Sequence, residues 1–437
     1  MDKVVNLAKR RGFVYPGSEI YGGLANSWDY GPLGAELKNA IKQEWWRRFV
    51  QARTDMVGVE TALLMNTKVW EASGHLKEFS DPLVECKKCH ERFRADHVDT
   101  DGACPSCGAK KSFTAATQFN LMFKTFLGPA EEKANVVYLR PETAQGMFVN
   151  FKNILETTRR RLPFGIAQMG KAFRNEITPG NFIFRTREFE QMEIEYFVRP
   201  EEWEKWFEHW LSEMRRWLKD LGVREEMLEF VDIPEGERAH YSKRTVDIEY
   251  KYPFGQKELY GLAYRGDFDL ANHVKASGED LRYTDPETKE KFLPHVIEPT
   301  WGVDRSVLVA MLEAYREEEA PTAEEGESET RIVMKFPKWL APVKVAVLPL
   351  SKKEELSSVA RELHAKLAEH FACEYDKTQS IGKRYRRQDE IGTPYCVTVD
   401  FETKDDGKVT VRDRDTMAQE RIPTAELVDY LKKNLAH

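Results

Sequence analysis

The segment from Phe173 to Phe197 limits most tightly what this 437-residue chain can fold into. It reads Phe173-Arg174-Asn175-Glu176, then a short turn bearing Pro179 and Gly180, then Phe184-Arg185-Thr186-Arg187-Glu188-Phe189 and on to Glu193. Apolar-rich stretches on both sides of the turn predict two strands joined by a loop. The period of two gathers the charges of the second strand on one face. Arg and Glu side chains then converge on one groove. An Arg beside a carboxylate can neutralise a phosphate while a neighbouring acid accepts from an exocyclic amine, which suits a nucleotide. Solvated cross-strand ion pairs are the competing reading, since exposed pairs are common and weak.

Two further segments favour the groove. The run Val296-Ile297-Glu298-Pro299-Thr300-Trp301-Gly302-Val303-Asp304-Arg305, followed by the apolar stretch Ser306 to Tyr315, predicts a strand entering a buried helix through a Gly turn. Trp28-Asp29-Tyr30-Gly31-Pro32-Leu33-Gly34 precedes an amphipathic helix over about 35–50 and a strand-like stretch from Met56 to Leu64. In chain order these segments resemble motifs 1, 2 and 3 of the class II aminoacyl-tRNA synthetases. Four strings narrow the likeness: Arg140-Pro141-Glu142-Thr143-Ala144-Gln145-Gly146, Arg187 to Glu193, Glu258-Leu259-Tyr260-Gly261, and Ile297 to Thr300. Together, in family order, they are similar to the homodimeric glycyl-tRNA synthetases, and the likeness runs from Arg11 to the last helix.

The resemblance implies an α+β fold. A class II antiparallel-sheet catalytic domain would occupy residues 1–335, with a zinc-knuckle insertion at 81–118. A C-terminal α/β anticodon-binding domain would occupy 341–437. It further implies ATP-dependent attachment of glycine to tRNA(Gly) through a glycyl adenylate, in a homodimer that uses Mg2+. By the same likeness Arg174 contacts the α-phosphate, Glu176 reads the adenine amine, Phe189 and Arg305 sandwich the ring, and Glu258 ligates Mg2+ or contacts the nucleotide. The remaining ATP contacts would be Asn175, Phe184, Arg185, Thr186, Arg187, Glu188, Leu259, Gly302, Val303 and Asp304. Glycine would be held by Glu142, Glu193 and Glu298 on its ammonium, with Thr300 denying space to a methyl group. Arg94, Phe189, Glu190, Gln191, Met192, Pro299, Trp301 and Gly302 complete that pocket. The chain departs from the family pattern at Thr300 and Trp301, where Ser and a small residue are common, so the shape of that wall stays open.

Composition agrees. With 41% hydrophobic residues the chain can bury more than one core, and its length predicts two or three domains. No apolar run approaches the ~18 residues that span a bilayer. The basic N-terminus, with Lys9, Arg10 and Arg11, lacks the apolar core of a signal peptide, so a cytoplasmic protein with no membrane partner is expected. A net charge of -7 does not advertise a polyanion partner, but tRNA needs only a local basic face.

Cys86 and Cys89 form one Cys-x-x-Cys pair, and after fourteen residues Cys104 and Cys107 form another. Four thiolates in two knuckles suit tetrahedral Zn2+, whereas paired disulfides fit a reducing cytosol poorly. Four free thiols or a redox pair remain as alternatives. Cys373 and Cys396 stand in apolar surroundings as small core residues.

The Glu-rich run from Arg316 to Thr330 predicts an exposed linker between two bodies. Before it, Trp203, Trp206, Trp210 and Trp217 share one face of a helix over about 200–221, which reads as a packing stripe. Beyond it, strands at Val343–Pro349, Tyr395–Val399 and Val409–Arg412 and a helix at Lys352–Glu369 predict a small α/β domain with a parallel or mixed sheet. That domain resembles the anticodon-binding domain of several class II enzymes. Within it, Ile381 to Tyr395 carries Lys383, Arg384, Arg386 and Arg387 around Tyr385, a set suited to phosphate contact and base stacking. A solvated charged helix face is the rival. At the level of function the rivals are another class II synthetase, a non-catalytic synthetase-like subunit that binds nucleic acid, and a zinc-ribbon nucleic-acid-binding protein.

Overall fold

A computed structural model describes residues 1–129, 135–321 and 328–435. Its larger body is built on a seven-stranded sheet of β1 (Met56–Gly58), β2 (Phe164–Phe173), β3 (Glu188–Val198), β4 (Leu228–Asp232), β5 (Arg244–Tyr252), β6 (Gly255–Gly266) and β7 (His295–Gly302). The order is β4-β5-β6-β7-β3-β2-β1, antiparallel throughout except for the parallel β1–β2 pair.

Alternation along the central strands explains why the sheet has two unlike faces. On β3, Met192, Ile194, Tyr196 and Val198 point into the main core, and Gln191, Glu193 and Glu195 occupy the intervening positions. Helices Pro32–Trp46, Trp203–Asp220 and Val303–Ala314 cover the apolar face. There Trp45, Phe49, Trp210, Trp217 and Trp301 form a cluster of tilted and edge-on rings with centroids 5.1–6.4 Å apart. Trp210 and Trp217 are fully buried and Trp203 stacks on Tyr264 at 4.1 Å, so the tryptophan stripe packs as expected.

The first motif helix starts at Pro32, where a missing N–H costs nothing, and ends in a wide turn over Arg47–Gln51. The strand expected over Met56 to Leu64 stops at Gly58. Val59 still bonds to Ala167, but from Thr61 onward side chains replace the ladder: Gln168 accepts from the Thr61 N–H and hydroxyl at 2.7 Å, and Arg140 donates to the Thr61 carbonyl at 3.0 Å.

The acidic run is not a linker. Tyr315–Pro321 pairs antiparallel with Ser328–Met334, and only the tip, including Glu324, Glu325 and Glu327, lies outside the described residues. The reason is that its glutamates are partnered. Glu318 takes Arg331 at 2.9 Å and also Lys335, and Glu317 takes Lys3 at 2.9 Å. Val333 and Arg331 meanwhile turn inward.

The tail has a five-stranded mixed sheet of β8 (Val345–Pro349), β9 (Cys373–Tyr375), β10 (Tyr395–Val399), β11 (Lys408–Asp413) and β12 (Gln419–Pro423). The order is β9-β8-β10-β11-β12, parallel in the first three strands and antiparallel in the rest. Cys396 is buried and Cys373, on the edge strand, is half-buried. Helix Ile381–Ile391 rests against the hairpin. Buried Asp389 accepts from Arg331 at 3.1 Å and from Arg412 at 2.8 and 3.1 Å, which fastens the tail to the larger body.

Candidate active site

The polar face of the seven-stranded sheet floors a cleft of about 470 Å³. One end is cationic. Arg174, in the loop after β2, donates to the Pro141 carbonyl at 3.0 Å and lies 5.2 Å from the Phe189 ring and 5.3 Å from Phe79. Arg305, in the first turn after β7, sits 4.5 Å over Phe184, donates to the Glu258 carbonyl at 2.9 Å and pairs with its carboxylate at 3.2 Å. Desolvation works upward on the Glu258 pKa, but the Arg305 charge and hydrogen bond, with the Arg174 and Arg185 charges, together hold the group below its usual value. Asp247 projects from β5 beside it. Burial, then repulsion from Glu258 and Glu249, raises Asp247 to about 7.

The other end is acidic and buried. Glu142, Glu193 and Glu298 line it and are 6%, 2% and 5% exposed. Buried Arg265 donates to Glu298 at 2.8 Å and grips Asp269 through two bonds at 2.7 and 2.8 Å, with Tyr241 lying 3.6 Å beneath its guanidinium. His75 pairs with Glu142 at 3.2 Å and Gln145 donates to it at 3.1 Å. Glu193 accepts from the Thr143 hydroxyl and, at 2.9 Å, from the Thr300 hydroxyl. Desolvation raises Glu142, yet the His75 charge beside it leaves it well below the carboxylate range. Burial and then the Glu142 charge raise Glu193.

Known proteins decide what carries such a cleft. Residues 123–315 match the tRNA synthetase class II core domain (G, H, P, S and T), and residues 344–434 match the anticodon binding domain. The glycine–tRNA ligases of Thermobifida fusca and Geobacillus thermodenitrificans are 54% and 55% identical to the chain, each alignment covering 100% of it and 98% of the relative. That of Clostridium acetobutylicum is 54% identical over the same shares. The chain belongs to the glycine–tRNA ligase family.

Most of the residues expected from the family motifs line this one cleft: Arg94, Glu142, Arg174, Glu176, Phe184, Arg185, Thr186, Phe189, Glu190, Gln191, Glu193, Glu258, Leu259, Glu298, Thr300, Gly302, Asp304 and Arg305. Seven do not. Met192, Pro299, Trp301 and Val303 are buried away from the cleft, three of them in the main core. The strand period sends Met192 and Trp301 to the face opposite Glu193 and Thr300. Asn175, Arg187 and Glu188 lie outside the lining, Glu188 paired with Lys171 at 2.6 Å and Arg187 reaching the Ala25 carbonyl at 3.4 Å. Glu190 and Asp304 share Lys38 at 3.0 and 3.1 Å and so face a cation. The ring facing Arg305 is Phe184, and Phe189 faces Arg174 instead.

Sequence reading missed Asp247, Arg265, Asp269, Tyr241 and His75. Arg265 and Asp269 had no helical signal, because the pair joins the end of β6 to the helix that follows it at Phe268. His75 had none, because only the fold brings it to Glu142.

The insertion forms a three-stranded sheet, Ser80–Glu85 with Arg92–Arg94 and Thr117–Asn120. Its two cysteine turns are built alike: Cys86 and Cys104 each accept from an N–H four residues on, and each bonds back from its own N–H to the residue five on. The sulfurs of Cys86 and Cys107, and of Cys89 and Cys104, are 3.7 Å apart, and all four lie within 4.8 Å of one another. In the tail, the four cations are not one exposed face, contrary to expectation. Buried Arg384 donates to the Pro349 carbonyl at 2.7 Å and to Asp376 O at 3.0 Å, Arg386 pairs with Glu329 at 2.8 Å, and Arg387 pairs with Asp376. Helix Ile381–Ile391 turns these arginines toward the body of the domain and leaves Lys383 exposed.

Proposed function

We infer that the chain attaches glycine to tRNA at the expense of ATP. The reading is carried by one observation, the meeting of a cationic, aromatic end and a buried acidic end in a single cleft. The glycine carboxylate attacks the α-phosphorus and pyrophosphate leaves. The terminal ribose hydroxyl of the tRNA then displaces AMP from the adenylate carbonyl. No protein nucleophile is required; placement and charge stabilisation suffice.

Arg174 holds the α-phosphate, where negative charge accumulates. Arg305 over Phe184, and Phe189 facing Arg174, bracket the base, and Glu176 accepts from its amine. Asp247 and Glu258 offer the hard oxygen ligands that suit Mg2+, which when bound neutralises phosphate charge. Glu142, Glu193 and Glu298 take the ammonium. Thr300 closes the space beyond Cα, its rotamer held by the bond to Glu193. Exclusion by contact rejects alanine where one missing methyl alone supplies only ~1 to 3 kcal/mol.

Division of labour follows the chain: a catalytic domain over 1–335, the insertion at 81–118 facing the acceptor stem, and an anticodon domain over 341–437. The reading includes a cytoplasmic homodimer. The four cysteines fit zinc, since sulfurs ~2.3 Å from a central ion stand about 3.8 Å apart in a tetrahedron. In the tail, exposed Leu350 and Phe401 at the carboxyl ends of β8 and β10, with Lys353 5.3 Å over the Phe401 ring, offer a stacking surface beside a cation.

Pyrophosphate exchange with each of the twenty amino acids tests the reading: glycine alone should support it, and exchange with threonine, proline or none would reject it. Protein purified without chelator should hold one zinc per chain, and Cys104→Ser should lose most of it; full zinc in that variant would refute a four-cysteine site.

A further inference from the structure

Glu195 lies two residues beyond Glu193 on β3, fully buried behind the cleft rather than in its lining. Carboxylate oxygens of Glu193, Glu195 and Glu298 lie within 4.8 Å of one another. Neither oxygen of Glu195 has a hydrogen-bond partner among the described residues. The donors around the cluster make their bonds to other groups. Thr143 and Thr300 serve Glu193. Arg265, from β6, serves Glu298 and Asp269. Gln145 serves Glu142 and Asp269, His75 serves Glu142, and His273 meets the Gln145 carbonyl at 2.9 Å.

An ionised carboxylate with no donor and two like neighbours is the costliest state a buried acid can take. A neutral carboxyl avoids that cost and gains a proton to donate. Glu193 already receives a hydroxyl on each oxygen, whereas Glu298 has only the Arg265 bond on Oε1.

We propose that Glu195 is a positioning residue of the amino-acid pocket, a neutral carboxylic acid whose O–H is donated to the Glu298 carboxylate and keeps it turned toward the ammonium. Burial and then the Glu298 charge push Glu195 well above the usual carboxylate range, in the same sense. The device also trims the negative charge of the pocket, so that one ammonium cation is not met by an uncompensated excess. The proposal rests on the assignment of Glu298 to the amino-acid site, but its first test does not.

That test is infrared difference spectroscopy of substrate-free protein at neutral pH. One protonated-carboxyl C=O band should be lost in the Glu195→Gln minus parent difference spectrum, while the signal of other raised acids such as Asp247 stays. The second test is kinetic. Glu195→Ala should raise the glycine KM roughly tenfold, the scale of one lost bond to a charged group, with the ATP KM unchanged. Glu195→Gln, which can still donate, should recover most of that loss and lack the alkaline fall in glycine kcat/KM that ionisation of Glu195 produces in the parent. A protonated-carboxyl spectrum left unchanged by Glu195→Gln overturns the proposal. So does a Gln variant as impaired as Ala, or a glycine KM indifferent to both. If the Ala variant does not fold, the infrared band and the pH profile of the Gln variant decide.

Discussion

At the acidic end of the cleft, Glu142, Glu193, Glu195, Glu298 and Asp269 crowd around one guanidinium, Arg265; at the tail joint a single carboxylate, Asp389, sits among Arg331, Arg386 and Arg412. Both clusters are buried and made of the same side chains. The joint nearly closes on itself: Asp389 oxygens are saturated by guanidinium N–H groups and Arg331 turns its other arm to Glu318 and to the Arg414 carbonyl, although the buried Arg331 Nε has no partner among the described residues. The pocket does not close. Carboxylates outnumber the cations available to them, and the imbalance suits an incoming ammonium ion. A buried charge cluster that satisfies itself holds structure, whereas one left short of a partner reads as a binding site.

The largest expected effect breaks the closed cluster. Asp389→Asn leaves Arg331 and Arg412 buried without a counter-charge, and denaturant unfolding should show a loss of about 3–5 kcal/mol. Glycine-dependent pyrophosphate exchange, assayed under conditions where the variant is folded, should be unchanged. A loss below ~1 kcal/mol would show the joint to be solvated and the contrast false.

Glu298→Gln probes the open cluster and should act the other way round. Removing one of several like charges relieves repulsion, so the unfolding midpoint should hold or rise. The glycine KM should rise about 10- to 100-fold through loss of a charge-assisted bond, with little change in the ATP KM. Equal damage to both substrates would place Glu298 in the scaffold.

The fold was legible wherever periodicity was strong. The tryptophan helix, the buried helix after Gly302 and the mixed tail sheet follow from apolar spacing, and the cleft followed from family motifs in their order. What stayed illegible were side-chain partnerships. The acidic run around Glu317 and Glu318 reads as solvated until Lys3, Arg331 and Lys335 are placed beside it. Trp301 reads as a pocket wall until the strand period sends it to the other face. His75 is invisible as a pocket residue because it lies far from Glu142 in sequence.

A pH titration should separate the clusters by sign. The folded-state pKa of Glu298 is raised, by burial first, above its unfolded value. Its contribution to stability is therefore complete below the unfolded pKa and is lost as pH rises through the folded one. Asp413, paired with Lys338 at 2.8 Å at the base of the tail, is the reverse: burial works upward, but its bonds to Lys338 win and lower it to about 2. Its contribution is present above the unfolded pKa and is lost below it, as pH falls through the folded value of about 2. Protection factors in β3 and β7, corrected for the intrinsic pH dependence of amide exchange, should therefore rise as pH is lowered from neutrality while those of the tail hold, and the tail should loosen only below pH ~4. Parallel behaviour of the two regions would contradict the contrast.

The smallest effect tests the same contrast between adjacent residues. Lys383 is exposed and has no ion pair among the described residues, whereas Arg384, the next residue on the helix, is buried against the Pro349 and Asp376 carbonyls. Lys383→Ala should leave stability and pyrophosphate exchange unchanged. It should reduce the slope of log K against log salt for tRNA binding by ~0.7 to 0.9, the contribution of one phosphate contact. Arg384→Ala should instead destabilise the tail, because carbonyl groups at the ends of β8 and β9 lose their donor, and tRNA binding should suffer only as far as the domain unfolds. An unchanged slope in Lys383→Ala would move the phosphate contact to Lys353 over Phe401. A reduced slope in a folded Arg384→Ala protein would mean that helix Ile381–Ile391 turns its buried arginine outward when tRNA arrives.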